Sequence, residues 1–264
     1  MILDRILQHK YEEVAGLKTT RPEAELRALI RDLPASRDFK AAIGSGTCSI
    51  IAEVKKRSPS KGIMRNVFDP GTIASIYEQN GAAALSVLTD EVFFGGTASD
   101  IGTVKKATSL PLLRKDFIVD PYQIFETRVI GGDAVLLIAR ILERNVLAEL
   151  KELAESLGLC SLVEVHDLDD LDKAIGAGAT VIGINNRNLE TFSTDILVSI
   201  DLAAHVPDGR IVVSESGIRT RADIDRLLGA GILSFLIGET LMTADDMGKK
   251  LGELSGEASN DDRN

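Results

Sequence analysis

The chain has 264 residues, 44% of them hydrophobic but only 4% aromatic, no tryptophan, and a formal net charge of −10. That length suits a single α/β barrel, and a core so poor in aromatics has to be built from Val, Ile, Leu and Ala, as parallel sheets are. So acidic a chain is excluded as a binder of nucleic-acid backbones through a global positive field, and an anionic ligand has to be caught locally.

Residues 1–48 hold two amphipathic helical patterns, LDRILQHKYEEVAGLK and PEAELRALIRDL. Their apolar faces, Ile2, Ile6 and Leu7 and then Leu26, Leu29 and Ile30, need a surface to bury against. The first pattern has no unbroken apolar segment and no small-residue cleavage site, so a signal peptide is not expected. Eight short β-type runs follow: SIIAEV (49–54), AALSVLT (83–89), PLLRKDF (111–117), AVLLIA (134–139), CSLVEVH (160–166), TVIGINN (180–186), RIVVSES (210–216) and SFLIGE (234–239). Even the most apolar of them, AVLLIA, is far short of the ~20 residues that span a membrane.

Helical patterns lie between most of these runs. DPGTIASIYEQNG sets Ile73, Ile76 and Tyr77 on one face, and ERNVLAELKELAESLG sets Val146, Leu147, Leu150, Leu153 and Leu157 at helical spacing. DLDDLDKAIGAGA and TRADIDRLLGAGI open with acidic residues and end on glycine, as the two poles of a helix prefer. Helix ends feed the next strand at Gly81-Ala82, Gly132-Asp133, Gly178-Ala179 and Gly231-Ile232. Eight strands alternating with helices predict one domain over 1–264, a (βα)8 TIM barrel with an N-terminal helical extension. An open doubly wound sheet is the alternative, but its glycine-rich first turn is missing. The extension is expected to wrap the barrel and reach the strand C-terminal face; a cap on the N-terminal face is the other possibility. Residues 255–264 are polar and expected to fray.

Strand side chains alternate between faces, so in IAEVKKRSPSKG Glu53 and Lys55 share the face of Ile51. Barrel sites lie at the C-terminal ends of the strands, which explains charges on a face that is apolar further back. The same switch recurs at Lys115 and Asp116, at Glu164 and His166, at Asn185, Asn186 and Arg187, and at Glu215 and Ser216. Any one of these could be a wet strand end, and Arg114, Asp116 and His166 are read that way. Five charged ends made to converge by closure read instead as acid–base machinery. Gly217 and Gly238, just after strands 7 and 8, suit an anion approaching bare backbone, with Ser58 and Ser60 as further donors. Cys48 and Cys160 are far apart and form no disulfide framework, which fits a reduced, cytoplasmic setting. The three histidines are scattered, with no metal-ligand spacing, P-loop or dinucleotide fingerprint.

The motifs IAEVKKRSPSKG, LSVLTDEVFFGG, LLRKDFIVDPYQIFE, GGDAVLLIA, LVEVHD, GINNRNLETF, VSESGI and FLIGETLM together resemble the indole-3-glycerol phosphate synthases over nearly the whole chain. The resemblance implies ring closure of 1-(2-carboxyphenylamino)-1-deoxyribulose 5-phosphate with loss of CO2 and water, and no cofactor or metal. It also implies roles. Lys115 would be the general acid and Glu164 the carboxylate of the dehydration, with Glu53 and Lys55 ordering the site and sharing acid–base work. Asn185 and Arg187 would contact substrate, Arg187 at the anthranilate carboxylate, and Phe94 and Phe117 would pack on the aromatic ring. Glu215 and Ser216 would bind substrate, and Ser58, Gly217, Gly238 and Glu239 the phosphate, Glu239 through its backbone. The expected partner is this small phosphorylated substrate, not nucleic acid or membrane, on a monomer or weak homo-oligomer. The competing readings are a phosphoribosylanthranilate isomerase, which releases no CO2, and a non-catalytic barrel, which would lack the acid or the base.

Overall fold

The computed structural model describes residues 2–59, 61–65, 67–188 and 191–256, and in it the eight predicted runs form a closed barrel. Its strands are β1 (Ser49–Val54), β2 (Ala84–Leu88), β3 (Leu112–Lys115), β4 (Ala134–Ile138), β5 (Cys160–Val165), β6 (Val181–Asn185), β7 (Ile211–Glu215) and β8 (Ser234–Ile237). All neighbours pair in parallel, and β8 closes on β1 with Ser49 opposite Ser234. Closure removes the doubly wound alternative. A small antiparallel hairpin, Arg57–Ser58 against Gly62–Ile63, follows β1.

Alternation sorts the side chains. Ile51, Leu113, Leu136, Leu162, Val213 and Leu236 pack into one cluster inside the barrel, while Ile50, Ala52, Val54, Leu85 and Val87 lie outside, under helices. The helices around the barrel are α4 (Pro70–Gln79), α5 (Glu91–Phe94), α6 (Ala98–Ala107), α7 (Pro121–Ile130), α8 (Arg144–Ser156), α9 (Leu168–Gly176), α10 (Leu197–Ala203), α11 (Arg221–Gly229), α12 (Glu239–Met242) and α13 (Met247–Ser255). Asp69, Asp120, Asp167 and Thr220 cap the helices they precede by accepting first-turn N–H groups. At the end of α7 the left-handed residue is Gly131, φ 97°.

The extension contains three helices, α1 (Ile2–Thr20), α2 (Glu23–Ile30) and α3 (Phe39–Gly44), one more than its sequence patterns suggest. The third does the capping. Phe39 and Ile43 are buried against Ile51, Ala84 and Val213, and Ser234 donates to the Ile43 carbonyl at 2.9 Å, so α3 plugs the N-terminal end of the barrel. The second packs on α7 through Leu26, which meets Tyr122 and Phe125, with Arg27 3.9 Å over the Phe125 ring. Leu29, expected on the apolar face, is instead 41% exposed. The first helix buries Ile6, Lys10 and Val14, and its Ile2, Leu3 and Ile6 reach the cavity at the strand C-terminal ends. The extension therefore spans the barrel from one end to the other. At the C-terminus α13 continues through Ser255, and residues 257–264 lie outside the described residues.

Candidate active site

The inward face of the barrel turns from apolar to charged within one layer. Above Ile51 on β1 comes Glu53, above Leu113 on β3 comes Lys115, above Leu162 on β5 comes Glu164, and above Val213 on β7 comes Glu215. Lys115 Nζ lies 2.6 Å from Glu164 Oε2 and 3.2 Å from Glu215 Oε2. Lys55 is paired with Glu53 on its own strand end. Gly183 is what admits Glu215: a Cβ there would sit 2.1 Å from Glu215 Oε1. Gly238 does the same for Glu53, whose Oε1 would be 2.1 Å from an added Cβ.

These contacts pull the two carboxyls apart. Burial opposes ionisation of Glu164, but Lys115, helped by His166 and Asn185, holds its carboxyl down at about 2. Burial pushes Glu215 up to about 8 despite Lys115, and the Glu164 charge adds to the rise. Burial alone would weaken the Lys115 ammonium, yet Glu164, Glu215 and Glu53 more than offset it and keep the group charged. At neutral pH the layer thus holds an ammonium, an ionised carboxylate and a neutral carboxylic acid within hydrogen-bond reach. Two titratable groups driven to opposite states are the usual mark of an acid and a base.

Two poles flank this layer. On the β2–β3 side Phe94 and Phe117 stand with ring centroids 6.2 Å apart and planes tilted by 38°, joined by Leu88 and by Ile2, Leu3 and Ile6 of α1. Across the mouth, after β7 and β8, are Ser216, Gly217, Gly238 and Glu239. Ser216 is left-handed at φ 68°, a strained state for a residue with a side chain, and Asn186 Nδ2 holds its carbonyl at 3.0 Å. Gly217 follows at φ 79°. Arg187 Nη2 pairs with Glu239 Oε2 at 3.3 Å, and Lys61 meets the other oxygen of Glu239 at 3.4 Å. The Glu239 side chain is thus engaged, leaving its backbone N–H to the first turn of α12. Ser58 lines the same cavity, while Ser60 lies outside the described residues.

Every residue nominated from the sequence for catalysis, substrate or phosphate, apart from Ser60, lines this one cavity. Three residues read as wet strand ends do not behave so. Asp116 and Arg114 are 3% and 2% exposed and belong to a sealed ion network. Arg114 meets Asp116 at 3.1 Å and Glu126 at 2.7 Å, and Lys10 from α1 meets Asp116 at 2.9 Å and Asp90 at 3.1 Å. The reason is coverage: α1 and α7 close over the outer face of β3, where solvent would otherwise reach. The side chain of His166 is only 4% exposed, against Glu164. Of the residues lining the cavity Asp90, Arg219 and Thr194 were missed, although SESGIRT does offer Arg219 as a cation two residues past Gly217, and so was Lys10, which pairs with Asp90 beneath it. Among the described residues no group of three or more His, Cys, Asp and Glu is arranged to hold a metal ion, and no helix is long and apolar enough to cross a membrane.

Comparison with known proteins places nearly the whole chain in one family. The family model described as indole-3-glycerol phosphate synthase matches residues 3–254. A curated indole-3-glycerol phosphate synthase from Aromatoleum aromaticum is 46% identical over 259 residues, covering 97% of this chain and 99% of its own. Among solved structures, a thiamine phosphate pyrophosphorylase from Pyrococcus furiosus superposes with a TM-score of 0.60 at 17% identity, over 80% of this chain and 95% of that one. An N-acetylmannosamine-6-phosphate 2-epimerase from Clostridium perfringens gives 0.59 at 16% identity, over 79% and 92%. At such identities these two structures speak for the barrel fold alone.

Proposed function

The chain belongs to the indole-3-glycerol phosphate synthase family, a family of carboxy-lyases of tryptophan biosynthesis, and from that premise we propose how its residues divide the reaction. The substrate, 1-(2-carboxyphenylamino)-1-deoxyribulose 5-phosphate, carries an aromatic carboxylate at one end and a phosphate at the other. The cavity has matching poles, and the observation that carries the reading is the charged layer between them: Lys115 within 3.2 Å of both Glu164 and Glu215.

In the first step the ring carbon that bears the carboxylate attacks the ketone. Negative charge develops on the ketone oxygen, and the Lys115 ammonium, held charged chiefly by Glu164, donates its proton there. Loss of CO2 then returns its electron pair to the ring system, which is cationic at that stage and needs no external electron sink. The remaining steps expel hydroxide and remove a proton. Glu164, kept ionised, is the base of this dehydration. Lys55, paired to Glu53, lies across the barrel mouth from it and is the second acid available for the leaving hydroxyl. Glu215, held neutral, donates to a substrate hydroxyl.

Binding follows the poles. The tilted pair of Phe94 and Phe117 grips the anthranilate ring, with α1 excluding water above it. Arg187 exchanges its Glu239 contact for the anthranilate carboxylate while Asn185 Oδ1 accepts from the Arg187 backbone N–H at 3.0 Å. Ser58, Gly217, Gly238 and the N–H of Glu239 take the phosphate, as backbone donors at a helix start do. We further propose that the chain works in the cytoplasm as a monomer or weak homo-oligomer.

The test is turnover of the carboxyphenylamino ribulose phosphate, followed by CO2 release and by indole fluorescence. Lys115→Ala should lower kcat by at least ~10²-fold, the scale of a proton-transfer group, with KM changed much less. Activity within a few-fold of wild type would remove Lys115 from the acid role.

A further inference from the structure

His166 sits one residue beyond β5, and its ring lies between two carboxylates contributed by different elements. Nε2 is 3.5 Å from Glu164 Oε1, and Nδ1 is 3.5 Å from Asp170 Oδ2. The side chain is 4% exposed and neither ring nitrogen completes a hydrogen bond. A ring used only as filler has no need to aim both polar atoms at charged groups. The surroundings are charged on every side. Lys115 from β3 holds the other oxygen of Glu164 at 2.6 Å and ties it to Glu215 on β7. On the outer side Asp170, at the start of α9, accepts the His166 backbone N–H at 3.1 Å and Arg140 Nε at 3.2 Å. Burial works against the Asp170 charge, but His166 and Arg140 keep its carboxyl below the usual range.

We propose that His166 is a positioning residue for Glu164 through both halves of the dehydration. When Glu164 is ionised, Nε2–H donates to Oε1. When Glu164 has taken a proton on Oε2, Oε1 becomes its carbonyl oxygen and still accepts from the same Nε2–H, so no proton leaves the ring. A ring held on both sides keeps that one donor aimed at Oε1 without moving. Oε1 is thus held in either state, and Lys115 holds Oε2. Asp170 and Arg140 fix the ring from behind, the arrangement by which outer partners orient an acting group.

This inference rests on Glu164 being the acting carboxylate, so the experiment separates the two. His166→Ala, His166→Gln and His166→Asn are measured alone and with Glu164→Gln, recording kcat, KM and thermal midpoint for each. The amide of Gln falls near Nε2 and keeps the Glu164 contact; that of Asn falls near Nδ1 and keeps only the Asp170 contact. His166→Ala should lower kcat about tenfold with KM nearly constant, the effect of one hydrogen bond to a charged group. His166→Gln should recover most of that loss and His166→Asn should not. In the Glu164→Gln background the three variants should all show the same residual rate. Equal recovery by Asn and Gln, or an undiminished tenfold loss in the Glu164→Gln background, would show that the ring acts only as packing and overturn the proposal. A Glu164→Gln single variant with near-normal kcat would instead remove the role of Glu164 itself, whatever the His166 variants do.

Discussion

Lys10→Met asks what holds α1 over the site. The ammonium of Lys10 is fully buried, 2.9 Å from Asp116 and 3.1 Å from Asp90, with Glu13 at 2.8 Å. Burial disfavours its charge, yet Asp116, Asp90 and Glu13 reverse that and raise it above the ordinary lysine range. Met keeps the length and bulk of the stem and removes the charge alone. Deleting one partner of a buried ion pair leaves the other uncompensated and costs ~3–5 kcal/mol. The low end applies here, because neither carboxylate is stranded. Asp116 keeps Arg114 at 3.1 Å and Thr89 at 2.6 Å, and Asp90 keeps the Phe93 N–H at 2.7 Å. The expected loss is about 3 kcal/mol in urea unfolding, or about 6–12 °C of thermal midpoint for a chain of this size. Because Asp90 caps α5, which carries Phe94, and α1 brings Ile2, Leu3 and Ile6 to the cavity, KM should rise as well. Adding Asp90→Asn to Lys10→Met should restore part of the stability, since it removes the carboxylate charge that is left with backbone N–H partners alone. A Lys10→Met variant that loses less than ~1 kcal/mol and keeps its KM would refute the view that this buried charge fastens α1.

Glu215→Gln tests the neutral acid through pH. The carboxyl of Glu215 binds its proton more tightly in the fold than in the open chain, so its contribution to stability is complete below the ordinary 4.5 and drains away as pH rises towards about 8. Glu164 has the opposite sign and acts below 4.5, so the two windows do not overlap. Glu215→Gln should therefore gain in thermal midpoint relative to wild type between pH 5 and 8; a constant difference across that range would contradict a neutral Glu215. The two phosphate-end glycines should not behave alike. Gly217→Ala forces a side chain onto φ 79° and a Cβ to 3.0 Å from Thr194, so KM should rise about tenfold, one lost donor, with kcat nearly kept. Gly238→Ala drives a Cβ to 2.1 Å from Glu53 Oε1 and should lower kcat together with raising KM. Identical kinetic patterns for the two would refute the distinction.

The barrel was legible because its determinants are local. Period-two apolar runs, Asp or Thr helix starts and glycine helix ends repeat often enough to count to eight, and the switch from Ile51 to Glu53 to Lys55 on one face shows which end of the strand is wet. Pairings across the barrel were not legible. The sequence shows Glu53 and Lys55 as neighbours two apart, but only closure brings Lys115 on β3 to Glu164 on β5 and Glu215 on β7. The split between a carboxyl near 2 and one near 8 belongs to those distances, not to residue type.

The charges outside the catalytic layer were misread for a related reason. Asp116 and Arg114 follow and precede Lys115, so alternation turns them to the outer wall, where a bare barrel would leave them in water. Whether they are wet depends on a segment a hundred residues earlier. In α1 the buried stripe runs through Ile6, Lys10 and Val14, and a lysine between two aliphatics looks like a break in the stripe. Taken with Asp90 and Asp116 it is a complement, a buried cation on the helix matched to two buried anions on the barrel. An apolar residue at 10 would leave those anions without their cation, and a lysine at 10 without them would have no buried partner, so neither half could be recognised from its own stretch of chain. The same matched pair that hid α1 in the sequence fixes where it docks, and with it the lid of Ile2, Leu3 and Ile6 over the aromatic pole.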